Sequence, residues 1–377
     1  MPKHDFVRKL INSCKRANPH GFGSMIYKMK NLSHKYNFIN IFLLCVLLAL
    51  LGTACGSARP YDGQNYIKET QLTEAGDSPS EYAANLQVIK NFDTKLSVPT
   101  YITKVDDTYF IVDCYHNRII YSDSLEAPLT EWYIMTGEVT QPHTIASDGK
   151  VYLVDDTENH RILVFEKIDS KFINTQVLFD VGTRPHYTVY DEKTDTFYVW
   201  SSKTGELFCL RHTADSTRMY LTDIRKIPEL DGIYVRSFSI IDGDIYFVSG
   251  VSDNGDKGRI YRCDLKDLSI KKTYDVPDNL SGMVQITKIQ DYYYITTSTD
   301  ISGSQDHATL LRTRSLDKLA ANDYEDIYSR YFIGGGTPYY ISEVEGTYFL
   351  TEHRLMDHQI WSFKVKSNEI TDVETVY

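Results

Sequence analysis

The chain lacks what a disulfide scaffold, a nucleic-acid binder or a phosphate-handling enzyme requires. Of its six cysteines, only Cys114, Cys209 and Cys263 lie beyond residue 55. Cys209 and Cys263 fall at similar places in different repeats, so no disulfide framework is expected and all three read as small buried residues or free thiols. Basic charge is scarce too. Beyond residue 55 the chain holds 32 Lys and Arg against 50 Asp and Glu, a formal charge of −18. Such a surface excludes nucleic acid as a partner and disfavours anionic headgroups. Cationic ligands, metal ions, neutral sugars and peptides remain compatible. No nucleophile–base pair, Gly-rich phosphate loop or close carboxylate pair is recognisable by spacing, and no long amphipathic helix is visible. Tyrosine, by contrast, is abundant: 29 residues, a density that suits β-strands and binding surfaces.

The first 55 residues differ from the rest. Lys3, Arg8, Lys9, Lys15, Arg16, Lys28, Lys30 and Lys35 form a basic lead-in with one acid, Asp5. An uncharged apolar run from Phe38 to Leu51 follows, short for a membrane span and suited to an export signal. It ends in Leu51-Gly52-Thr53-Ala54-Cys55, which resembles the lipobox of bacterial lipoproteins, with Gly52 where leucine is more usual. The resemblance implies a diacylated Cys55 at the mature N-terminus, two acyl chains being enough for stable anchoring. It further implies residence at the cell membrane on its extracytoplasmic face. Residues 1–55 are thus read as signal and lipobox, 56–85 as a polar tether, and 86–377 as a β-propeller.

The propeller is read from a repeat. Val98-Pro99-Thr100-Tyr101, Gln141-Pro142-His143-Thr144 and Arg184-Pro185-His186-Tyr187 are spaced 43 residues apart, as are Arg118 and Arg161. Looser copies begin near Val235, Gly282 and Pro338. Each copy holds three or four short β-branched and aromatic runs separated by Asp, Gly or Asn turns. A sheet of that size cannot bury both faces alone, whereas six packed radially can. An all-β, six-bladed propeller is expected, with seven blades as the alternative. Ring closure is expected to use a terminal strand, Leu86–Phe92 or Ile370–Tyr377, to complete the blade of the other terminus.

The copies resemble the NHL-repeat propellers, most closely in Asp113-Cys114-Tyr115-His116-Asn117-Arg118-Ile119 and in Asp155–Ile162. They also resemble, in part, the peptidyl-α-hydroxyglycine α-amidating lyases, which carry Pro-His at inner-strand starts. That likeness implies Tyr115 as base and His143 and His186 as ligands of zinc. The lyases' arginine falls on Thr157 here, and no third ligand histidine precedes Pro99.

Aligned copies place candidate residues around one mouth of the central channel. Tyr101, His143, His186, Arg236 and Tyr339 come from inner-strand starts; Tyr115, Glu352 and His353 come from the loops after the second strands. Two readings follow. One is a non-catalytic binder of a peptide, glycan or surface protein, using Tyr101, Arg236, Tyr339, Glu352 and His353. The other is a metal-dependent lyase or hydrolase, with zinc or calcium at His143 and His186 and with Tyr115 and Arg184 catalytic. Those histidines equally suit simple hydrogen bonding to neighbouring loops. Arg118 and Arg161 are assigned to tying blades together through Asp113 and Asp155. Asp253-Asn254-Gly255-Asp256 is read as a plain turn.

Overall fold

The computed structural model describes residues 79–251, 255 and 257–377. Cys55, the signal segment and the acidic turn at 253–256, apart from Gly255, lie outside the described residues. The described chain forms six antiparallel sheets in sequence order, which settles the blade count at six. Their innermost strands are Pro99–Val105, Ile145–Ser147, Pro185–Asp191, Val235–Ile241, Gly282–Ile289 and Pro338–Val344. Each is followed outward by three more strands of its own blade. Just before the ring, Pro79–Asn85 forms a short helix whose Ala83 carbonyl accepts a 2.7 Å bond from the Lys171 ammonium of blade 2.

Burial peaks at the second strand of each blade and falls toward the outer edge, and composition follows it. Second strands such as Val151–Asp156 and Thr196–Ser201 are buried along their whole length, because a neighbouring blade covers each face. Outer strands such as Tyr220–Lys226 bury one residue in several. The apolar core is accordingly divided into six clusters: five lie between two adjacent blades, and the one between blades 3 and 4 also takes in Val284 of blade 5 and Tyr339 and Tyr340 of blade 6. Cys209 and Cys263 sit in the cluster between blades 3 and 4, unpaired, and Cys114 is likewise buried and free.

Ring closure differs from the expectation. Every blade is built from consecutive strands, and none borrows from the other terminus. Ile89–Lys90 adds a fifth strand to the outer edge of blade 1, its own neighbour in sequence. Glu369–Thr375 is the outer strand of blade 6. The seam is sealed by side chains instead. Thr351 Oγ1 of blade 6 donates to the Thr100 carbonyl of blade 1 at 2.9 Å, and Ser342 Oγ donates to the Ile102 carbonyl at 2.5 Å. At the rim, the Tyr377 hydroxyl meets the carbonyls of Leu125 and Ala127 at 2.7 and 2.8 Å and accepts from Trp132 Nε1 at 3.0 Å.

The two arginines read as blade ties act within blades. Arg118 binds Asp113 across one strand pair, as expected, and Arg161 binds Asp156 rather than Asp155. Asp155 turns inward, where its oxygens accept from the backbone N–H groups of His143 and Thr144 and from the Thr144 hydroxyl.

Candidate functional site

The residue before each proline at the first three inner-strand starts has left-handed backbone: Val98 at φ 53°, Gln141 at 51° and Arg184 at 58°. For a β-branched residue such as Val98 this is strained geometry. It is held in the first two blades by the carboxylate closing the second strand, which accepts the N–H one residue earlier: Asp113 from Ser97 and Asp156 from Thr140. In blade 3 the Ser201 hydroxyl takes that place, accepting from Thr183. In blade 6 the carboxylate closing the second strand, Glu352, instead takes the N–H of the residue directly before the proline. One oxygen accepts from the Thr337 N–H at 2.8 Å and the other from the Tyr328 hydroxyl. Burial outweighs these bonds and pushes the Glu352 carboxyl up to about 7. Glu352, expected to face a ligand, thus shapes the loop with both oxygens engaged.

This framework delivers a row of rings to the channel mouth. Tyr234 and His186 lie 5.6 Å apart centre to centre, His186 and His143 stack at 3.6 Å, His143 and Tyr339 are 6.2 Å apart, and Tyr339 and His353 stack at 3.9 Å. The hydrogen bonds fix the tautomers. The Thr157 hydroxyl donates to the Pro185 carbonyl at 2.8 Å, so it accepts from His143 Nδ1–H at 3.0 Å. His143 Nε2 is left as a lone pair with no partner among the described residues. His186 Nδ1–H donates to the Arg236 carbonyl at 3.0 Å, and its Nε2 accepts from the Tyr234 hydroxyl at 2.8 Å. All three imidazoles are held neutral. Burial lowers His143 and His186 well below the usual range, with neighbouring histidines and Arg184 and Arg236 adding to it. Burial and Arg236 bring His353 to about 3.

The expected metal pair does not form a chelate in this arrangement. Both nitrogens of His186 are hydrogen-bonded, its ring lies flat against His143, and no group of three His, Cys, Asp or Glu gathers for a metal among the described residues.

Cations surround the other end of the row. Arg236, Lys203 and Arg184 lie 4.7, 4.9 and 6.0 Å from the Tyr234 ring centre. Arg184 is paired with Glu158. Arg236 and Lys203 have no acceptor within hydrogen-bonding reach of their charged ends among the described residues. In a chain this acidic, two unpaired cations over one ring are the sharpest electrostatic feature of the mouth.

Arg184, Arg236, His143, His186, Tyr339 and His353 are therefore brought together. Tyr115 is on the same face but exposed, with no side-chain hydrogen bond among the described residues. Tyr101 is elsewhere: it packs edge-on to Tyr340 and lines a cavity of about 560 Å³ at the opposite end of the channel, with Tyr187, Gln285, Asp191, Asp242 and Glu343. The 43-residue spacing aligns Thr100, not Tyr101, with His143, and Tyr101 shares its position with Tyr187. Sequence reasoning missed Tyr234 altogether. It occupies the repeat position of Arg184 in the next blade, but no proline follows it to mark the place.

No described family and no curated protein matches this sequence. Solved structures do resemble the fold. A putative 6-phosphogluconolactonase from Bacteroides uniformis superposes with a TM-score of 0.51 at 12% identity, covering 74% of this chain and 84% of its own. One from Bacteroides fragilis gives 0.51 at 13%, covering 74% and 83%. A streptogramin B lyase structure gives 0.49 at 13%, covering 77% and 86%. At such identities the likeness is one of architecture alone, and the six blades of this chain are read from its own sheets.

Proposed function

We propose that this protein is a membrane-anchored binding propeller whose channel mouth captures an organic anion. One observation carries the reading: Arg236 and Lys203 converge on Tyr234 with no anionic partner among the described residues, beside histidines held neutral. Two like charges over one ring repel each other, and an anion set between them removes that repulsion and gains charge-assisted hydrogen bonds of roughly 1.5–3 kcal/mol each. The neutral imidazoles supply polar contacts without adding positive charge to be desolvated. The acidic remainder of the surface repels polyanions and leaves a small ligand with one or two charges as the best fit.

A thermal-shift screen of carboxylates and phosphates at low salt tests this. A true ligand at a hundred times its Kd stabilises by about 2.7 kcal/mol. The shift is expected to shrink as salt rises and to vanish in an Arg236→Met/Lys203→Met double variant. If no anion raises the melting temperature, or the double variant responds like the parent, the reading fails. The anchor has its own test: labelling of the chain by an acyl-chain analogue in cells, lost in Cys55→Ser.

A further inference from the structure

The mouth is two-sided. Opposite the cations, the same face carries four large apolar side chains that stand in water: Met356 at 70%, Tyr115 and Ile333 at 59% each, and Ile301 at 37% exposure. Met356, Tyr115 and Ile301 lie in the loops joining second to third strands in blades 6, 1 and 5. Ile333 lies in the loop entering the inner strand of blade 6. They come from three neighbouring blades, whereas Arg184, Lys203 and Arg236 come from blades 3 and 4. The row of rings joins the two sectors. Tyr234 starts it under the cations, and His353 ends it in the loop that carries Met356.

Resting on the anion reading, we propose that the ligand of this mouth is a peptide segment with a free C-terminal carboxylate and apolar side chains. The carboxylate sits over Arg236 and Lys203, and the apolar side chains cover Tyr115, Ile333 and Met356. Isolated apolar side chains at a surface are ordinary, but a group of them on the face of a ligand mouth marks an interaction site. The centre of the row decides between a peptide and a simple fatty anion. His143 presents an unprotonated Nε2 there, fixed in that state by Thr157. An amide N–H can donate to it, and an alkyl chain cannot. The ring-to-ring steps of 5.6, 3.6, 6.2 and 3.9 Å make a path of at most about 19 Å. Five or six extended residues span that length at about 3.3 Å each.

The test is calorimetric titration of the full chain with four probes: an apolar hexapeptide ending in Leu-Phe with a free carboxylate, its C-terminal amide, a Gly/Ser hexapeptide with a free carboxylate, and decanoate. The free-acid apolar peptide is expected to bind best. Amidation and the Gly/Ser replacement are each expected to weaken binding tenfold or more. Ile333→Ser/Met356→Ser, both at exposed positions, is expected to weaken the apolar peptide while leaving the Gly/Ser peptide unchanged. Equal binding of the apolar and Gly/Ser acids would overturn this inference and leave the anion reading standing. Decanoate binding as tightly as the apolar peptide would overturn the peptide class. Equal binding of acid and amide, or no binding by any acid, would overturn the anion reading itself.

Discussion

The seam between blades 6 and 1 has no exchanged strand, so beside its apolar cluster it is held by a few polar side chains that can be removed one at a time. Tyr377 belongs to blade 6 through its backbone, whose carbonyl accepts from the Gln359 and Ile360 N–H groups at 2.6 and 3.0 Å. Its side chain belongs to blade 1. The hydroxyl meets two carbonyls and the Trp132 indole, and the ring stands edge-on to Trp132 at 6.0 Å. Neutral hydrogen bonds contribute roughly 0.5–1.5 kcal/mol each, and an edge-on aromatic pair about as much again. Tyr377→Ala is therefore expected to cost about 3 kcal/mol. For a folded unit of about 300 residues, unfolding entropy near 2.1 cal/mol/K per residue converts that to a fall of about 5 °C in Tm. Tyr377→Phe keeps the ring and is expected to lose about 2 °C. The assay is a calorimetric melt beside Tyr220→Ala, which trims an exposed tyrosine on a blade edge away from the seam and should leave Tm unchanged. The argument is refuted if Tyr377→Ala melts within about 1 °C of the parent, or if the Tyr220 variant falls as far.

Three further outcomes follow from the mouth. Glu352 keeps its proton up to about 7 in the folded chain but releases it near 4.5 when unfolded, so the native state binds the extra proton and stability falls as pH rises between those values. Denaturant midpoints at pH 5 and 7 should show that slope, reduced in Glu352→Gln; an unchanged slope in the variant would count against it. Arg236→Gln should raise the pKa of His353, read by NMR titration, because Arg236 is the charge that adds to burial in depressing it; a fixed value would leave burial alone responsible. Thr157→Val strips the acceptor from His143 Nδ1–H, and an unsatisfied buried donor costs about 1–3 kcal/mol. Nitrogen NMR should then show His143 losing its single tautomer, with Thr157→Ser retaining it; a tautomer unchanged in Thr157→Val would place its control elsewhere.

Much of the fold was legible because blades repeat. Pro99, Pro142 and Pro185 mark the same bend three times, and one register then predicts six sheets even where the later copies have drifted. The adjacency of His143 and His186 was legible for the same reason, since equal repeat positions in neighbouring blades converge at the axis. Where the repeat is silent, reading failed. Tyr234 carries the hydroxyl that caps His186, yet a tyrosine among 29 has no signature. Tyr101 was assigned one residue out of register, and in a strand one residue reverses the direction of the side chain. Asp155 and Asp156 are adjacent in sequence and do opposite jobs. One braces the inner strand, and the other clamps an arginine at the edge of the loop. The seal at Tyr377 depends on the last residue meeting the first blade, a long-range contact that no local pattern encodes.

An aromatic layer at the channel's mid-depth stands between two rooms, the ring-lined mouth and the acid-lined chamber. Tyr101, Tyr187 and Phe238 interlock with or beside Tyr340, and Gln285 pins the Tyr187 hydroxyl to the backbone of blade 6. One member of that layer, Tyr340, reaches both sides. The Tyr340 hydroxyl touches His186 in one room while its ring edge meets Tyr101, which lines the other. A tilt of that tyrosine would therefore be felt in both rooms.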